Sequence, residues 1–258
     1  MFQEITTQLY PQTNRAPFPI ESRIDSALRY SNNHPIVQNA AAYLRGNFDT
    51  LHFSGNDLLD IWRDYDVPFT TKCLATFWWG NLSHQIATAY SYNNIERLGA
   101  ISGELLHHLE LTSSETSFDT AIDRLRTIFM SFEPGGQFKL ERVDVSFFTK
   151  IYEFYFASHP LESNPEFLPI ICDKWLRKGL YVEMTDRGEL NHRNLLYSTP
   201  SSLRKHSGSY VDSYLDFCNS FNQRVRDLKN EFHELTALAL EGYIFSQTGR
   251  DYINRHLE

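Results

Sequence analysis

Apolar residues along this chain recur mostly at three- and four-residue spacings, the pattern of helices that bury one face. The cleanest run is Phe118, Ile122, Leu125, Phe129 and Phe132, which predicts an amphipathic helix ended by the EPGGQ stretch at 133–137. Upstream, PIVQNAAAYLRG and SGNDLLDIWRDY predict two helices within 35–65, with Ser54 placed to cap the second. Between Thr70 and Leu109 the helical pattern occurs twice, broken at Gly80 and around Tyr92–Asn94. A further helix runs through VDVSFFTKIYEFYF (143–156) and stops near His159-Pro160. A loop leads from there to Pro169, where PIICDKWLRKGL opens another helical pattern. Residues 185–208 are polar and loop-like, and one or two long helices are predicted from Tyr210 to about Phe245. Residues 1–34, rich in polar, Pro and Asn positions, read as an irregular lead-in with one short helix. No β-alternation of useful length, repeat or low-complexity tract occurs, so the fold class is mainly α.

One residue stands against the pattern. Phe147, Ile151 and Phe154 share a helical face that must be buried, and Lys150 lies at its margin, a turn before Phe154. On one reading the lysine stem lies along the apolar surface while the ammonium snorkels to water. On the other, the amine is kept partly desolvated so that it loses its proton readily and acts as a nucleophile. The carboxylate that follows, Asp173 in LPIICDKWL, has an ordinary reading as a helix N-cap.

Composition narrows the classes. Aromatics make up 14% of the 258 residues, which points to a packed globule rather than a disordered chain. No run of 18 apolar residues suggests a membrane span, and the first residues lack a signal-peptide pattern. Cys73, Cys172 and Cys218 are widely spaced and odd in number, so a reducing cytoplasm is expected, with a nucleoid association in a prokaryote. The ten His include the adjacent pair His107-His108, but no HExxH or CxxC spacing occurs, and no metal or cofactor is expected. A phosphate loop and a GxSxG elbow are also lacking. Net charge is −8, a bulk property that counts against nucleic-acid binding. Local clusters matter more, because distant charges are screened. Three basic clusters stand out: Lys139 with Arg142; Lys174, Arg177 and Lys178; and Arg204 with Lys205. Each has the alternative reading of a solvated face.

Taken together, VDVSFFTK ending in Lys150 and LPIICDKWL holding Asp173 resemble the helix-hairpin-helix DNA glycosylases, in particular the 8-oxoguanine DNA glycosylase branch. SYNNIERL at 91–98 is similar to that branch's Ser-x-Asn-Asn-Ile-x-Arg segment, matched by Asn93, Asn94, Ile95 and Arg97. The family segment lies against the base left unpaired when the target is flipped out. Tyr92 stands where the family often has another Asn, and a Tyr can wedge into a base stack. The hairpin turn departs from the family, reading Val143-Asp144-Val145-Ser146 without its two glycines, and Asp144 adds negative charge there. The resemblance spans about residues 70–245. It implies a two-subdomain helical fold with a central cleft and a divergent helix-hairpin-helix. Residues 1–69 would be an unplaced N-terminal extension, and 70–258 the glycosylase-like domain with its catalytic segment at 139–180.

The resemblance implies excision of a damaged or modified base from double-stranded DNA by a monomer, 8-oxoguanine first among the candidates, with accompanying AP-lyase cleavage. Lys150 would attack the sugar C1′ and Asp173 would stabilise the developing positive charge. Phe154, with Phe147 beside it, would line the base pocket, although plain core packing explains Phe154 equally. Arg97 would donate to the orphan cytosine, or instead pair with Glu96 or Glu104. Lys139, Arg142, Lys174 and Lys178, with Tyr92, Asn93, Asn94 and Arg97, would form the DNA-binding face. Two rival classes remain, a glycosylase-fold DNA-binding or interaction protein without catalysis and a purely structural helical protein. A glycosylase for a different modified base is a further alternative.

Overall fold

The computed structural model describes residues 1–10, 17–80, 86–133, 135–186 and 210–257. Among these residues the regular structure is thirteen helices, joined by one isolated antiparallel bridge between Phe18 and Phe53. The chain divides into two compact units. Its middle, Pro17–Glu166, forms one; Met1–Ala16 and Phe167–Glu258 together form the other.

The middle unit holds α2 (Glu21–Tyr30), α3 (Pro35–Asn47), α4 (Gly55–Arg63), α5 (Phe69–Trp79), α6 (Ile86–Ala89), α7 (Tyr92–Ser113), α8 (Phe118–Ser131) and α9 (Val145–Ser158). Their starts follow from local chemistry. His34 accepts from the Ile36 N–H ahead of α3, with Pro35 at the first helical position. Ser54 and Asp57 form a reciprocal capping box at α4, and Ser117 caps α8. Asp144, noted in sequence as an unfavourable charge in the hairpin turn, caps α9 by accepting from the Ser146 N–H at 3.0 Å and its hydroxyl at 2.7 Å.

Two helices carry the core of this unit. Every residue of α5 except Thr70 is buried, and α5 packs against α3, α4, α7 and α9. In α9 the run from Phe148 to Phe156 is buried without a break. The predicted one-sided helix is therefore wrapped on several faces. Helices α4 and α5 pack against it, and Phe132 stacks on Phe148 at 4.7 Å while Phe129 meets the same ring edge-on at 4.9 Å. Such ring pairs add about 0.5–1.5 kcal/mol each beyond the area they bury.

The other unit consists of α1 (Phe2–Leu9), α10 (Lys174–Asp186), α11 (Tyr210–Lys229), α12 (Ala237–Phe245) and α13 (Gln247–Leu257). Both α1 and α10 pack against α12 and α13. Gly179 permits the close approach, because a Cβ there would lie 3.3 Å from Ile244 and 3.5 Å from Phe2. Asn222 pins the segment leading to α10, accepting from Leu168 N–H at 3.0 Å and donating to its carbonyl at 2.8 Å.

This division differs from the boundary expected at residue 69/70. Helices α3 and α4 belong with α5–α9, and α1 belongs with the end of the chain. The expected lead-in contains two helices rather than one, α1 and α2, and they fall in different units. Periodicity shows which face of a helix is apolar but not which partner covers it. Most of the predicted 185–208 loop, with Arg204 and Lys205, lies outside the described residues.

Candidate functional site

Lys150 is 6% exposed. Its Nζ donates to the Ser146 carbonyl at 2.8 Å and sits 4.7 Å from the centre of the Phe147 ring. The stem passes over Gly80 at the end of α5. A Cβ at that glycine would approach Lys150 Cδ to 2.8 Å and Cε to 3.0 Å. A residue noted in sequence only as a helix break thus makes room for the lysine. Phe147 is half-buried and meets Phe77 edge-on at 6.4 Å. Phe154 is buried and packs edge-on against Trp79 at 5.1 Å.

The SYNNIERL segment begins α7. Tyr92 is 46% exposed, with its ring 4.7 Å from that of His34, and Asn93 is exposed beside it. Asn94 turns inward. Its amide donates to the carbonyls of Ala89 at 2.8 Å and Glu141 at 3.0 Å, and its oxygen accepts from the Glu141 N–H at 2.9 Å. One turn on, the exposed Arg97 donates through Nε to Lys139 O at 2.6 Å and through Nη2 to Gln137 O at 2.8 Å. Positions 94 and 97 share a helix face, so both reach the same loop. Lys139 adds a bond from its Nζ to the Val143 carbonyl at 3.1 Å. The exposed Arg142 completes the turn with φ at 60°, a left-handed conformation that favours glycine. Three residues expected to face DNA therefore make bonds that shape the turn leading into the Lys150 helix.

Replacing Asn94 with Ala should lower stability by about 2 kcal/mol, since it strips partners from part-buried backbone groups. A urea melt of the variant beside wild type measures this. An unchanged midpoint would show that the loop does not depend on Asn94.

Asp173, Lys174 and Lys178 belong to the other unit. Asp173 performs the N-cap role at α10, accepting from Trp175 N–H at 2.6 Å. Lys174, Lys178 and Arg250 surround the half-buried Trp175, with their charged groups 6.0, 5.2 and 5.9 Å from its ring centre. Arg250, brought in by α13, was not identified in sequence, because nothing local to it marks the association. The structure thus gathers Lys150, Phe147 and the Asn94–Arg97–Lys139 turn in one unit, and Asp173, Lys174 and Lys178 in the other.

A cavity of about 350 Å³ also lies in the middle unit, among the α4–α5 turn, α7 and the end of α9. None of the residues predicted from sequence lines it. Among the described residues, no group of His, Cys, Asp and Glu could hold a metal, and no helix is long and apolar enough to cross a membrane.

No protein-family model, curated protein or solved structure matches the chain.

Proposed function

We propose that the protein is a DNA glycosylase with AP-lyase activity that flips out and excises a damaged or modified base, 8-oxoguanine foremost. The observation that carries this reading is the link between the two sequence stretches behind it. The Tyr92–Arg97 segment is bonded, across 40 to 47 residues of chain, to the turn that leads into the Lys150 helix. The helix it positions carries a part-buried amine 4.7 Å from the centre of the Phe147 ring.

A stacked base cannot be attacked, so the nucleotide must first leave the helix. Lys150 Nζ then donates its lone pair to C1′ as the glycosidic bond breaks, and the departing base takes the bonding electrons and a proton. The attack uses the neutral form of the amine. A neutral amine keeps two N–H groups, so one can remain on the Ser146 carbonyl while the lone pair reacts. Opening of the sugar gives a Schiff base, and loss of the C2′ proton expels the 3′ phosphate and nicks the strand. The resemblance assigns to Asp173 the stabilisation of positive charge developing on the sugar. Tyr92 and Asn93, exposed at the start of α7, suit contact with the gap left by the flipped base. Strand nicking on duplexes carrying 8-oxoguanine opposite cytosine tests the reading, beside a panel of other modified bases. Cleavage of another lesion alone would move the substrate but keep the chemistry.

A second reading, a DNA-binding protein without catalysis, is favoured by one specific contact. Lys150 already has a structural occupation, bonded to Ser146 O and lying over Phe147. The two readings share the basic surface. Lys174→Gln/Lys178→Gln should weaken duplex binding and flatten the slope of log affinity against log salt by about 2, roughly one unit per lost phosphate contact. Titrations at several salt concentrations measure this. An unchanged slope would remove α10 from the DNA surface.

A further inference from the structure

We infer that the cavity in the middle unit is a second reactive site, in which Lys72 forms a Schiff base with a small aldehyde or ketone bearing an aromatic or bulky apolar body. This is independent of the glycosylase reading, which uses Lys150 and DNA.

The walls and the amine are both built in. Trp62, Phe69 and Tyr155 are buried and line the cavity, with the Trp62 ring edge-on to Phe69 at 5.8 Å and to Tyr155 at 6.2 Å. A cavity of about 350 Å³ has room for a single-ring ligand. Lys72 is buried on α5 and opens on the same space. Its Nζ donates to the Trp62 carbonyl at 3.0 Å, which fixes the amine at the end of α4. Burial lowers the Lys72 pKa, an effect only partly opposed by the negative charge of Asp64.

Proton carriers stand on the same cavity. His159 stacks on the Tyr155 ring at 4.7 Å, and its Nδ1 lies 3.2 Å from the Tyr155 carbonyl. A carbonyl only accepts, so Nδ1 carries the proton and Nε2 is left with a lone pair when the ring is neutral. Burial lowers the His159 pKa, the nearby Lys72 charge lowers it further, and Glu110 opposes this. Glu110 lies exposed on the cavity lining. The amine and the imidazole thus line one cavity.

The step balances without a co-reactant. The Lys72 lone pair attacks the carbonyl carbon, and the carbonyl electrons move to oxygen, which takes one of the two amine protons. His159 Nε2 accepts the remaining proton from nitrogen and returns it to the hydroxyl as water leaves. Amine and carbonyl give imine and water.

The test uses the full chain with benzaldehyde and cyanoborohydride at pH 7, stopped at low conversion and mapped by peptide mass spectrometry. Lys72 should be benzylated several-fold faster than the exposed Lys174. Excess benzyl alcohol, which fills the cavity but has no carbonyl, should slow labelling of Lys72 and not of Lys174. His159→Gln should slow Lys72 labelling selectively. Labelling of Lys72 no faster than Lys174 in the wild-type protein, or insensitive to benzyl alcohol, would overturn the inference and leave Lys72 as a cap on the last turn of α4.

Discussion

Lys150→Gln should yield a folded protein that forms no borohydride-stable adduct with lesion-bearing DNA and nicks no strand. The reasoning is chemical. A glutamine amide has no basic lone pair, so neither attack at C1′ nor Schiff-base elimination is open to it. The structural cost is small by comparison. The substitution loses the contact with the Phe147 ring and the charged form of the bond to Ser146 O. Together these are worth about 1 kcal/mol, or roughly 2–4 °C in Tm for a unit of this size. Gln retains an N–H to offer the carbonyl and is shorter than Lys over Gly80, so no clash arises. Duplex affinity should persist, because the basic groups around Trp175 are untouched. A lysine that only fills space predicts the same small change in Tm but full activity in any DNA assay.

Asp173→Asn carries the second large effect. Asn caps helices about as well as Asp, so the bond from Trp175 N–H survives and α10 should start where it does now. What disappears is the negative charge. If that charge stabilises the transition state, excision should slow by about 10²–10³-fold while substrate affinity changes little. Single-turnover kinetics with excess enzyme separate the two quantities. A variant that excises at the wild-type rate would confine Asp173 to its capping role. Loss of Tm with no change in rate would say the same.

How far the sequence foretells this molecule depends on the range of each interaction. Helices α3, α4, α5, α7, α8 and α9 were legible because apolar spacing and caps such as Ser54 act within a turn or two. The unbroken burial of α9 from Phe148 to Phe156 was not, since its extra partners come from α4, α5 and the rings of Phe129 and Phe132. The pairing of α1 with α12 and α13 was equally hidden, because the apolar face of an eight-residue helix does not name its partner. Asn94 and Arg97 were singled out as DNA contacts from their motif. Their bonds to Glu141, Lys139 and Gln137 join side chains to backbone carbonyls and an amide far along the chain, and such bonds leave no local pattern. Lys72 and His159 passed unnoticed for the same reason: they share a cavity only once α5 and α9 have packed together.

The most direct measurement is to trap wild-type protein with borohydride on a duplex containing 8-oxoguanine opposite cytosine, then digest the adduct and map the modified residue. A Schiff-base mechanism at α9 predicts one DNA-linked peptide, containing Lys150. No adduct with any modified base in the panel, or an adduct carried by another lysine while Lys150 is recovered unmodified, would contradict it.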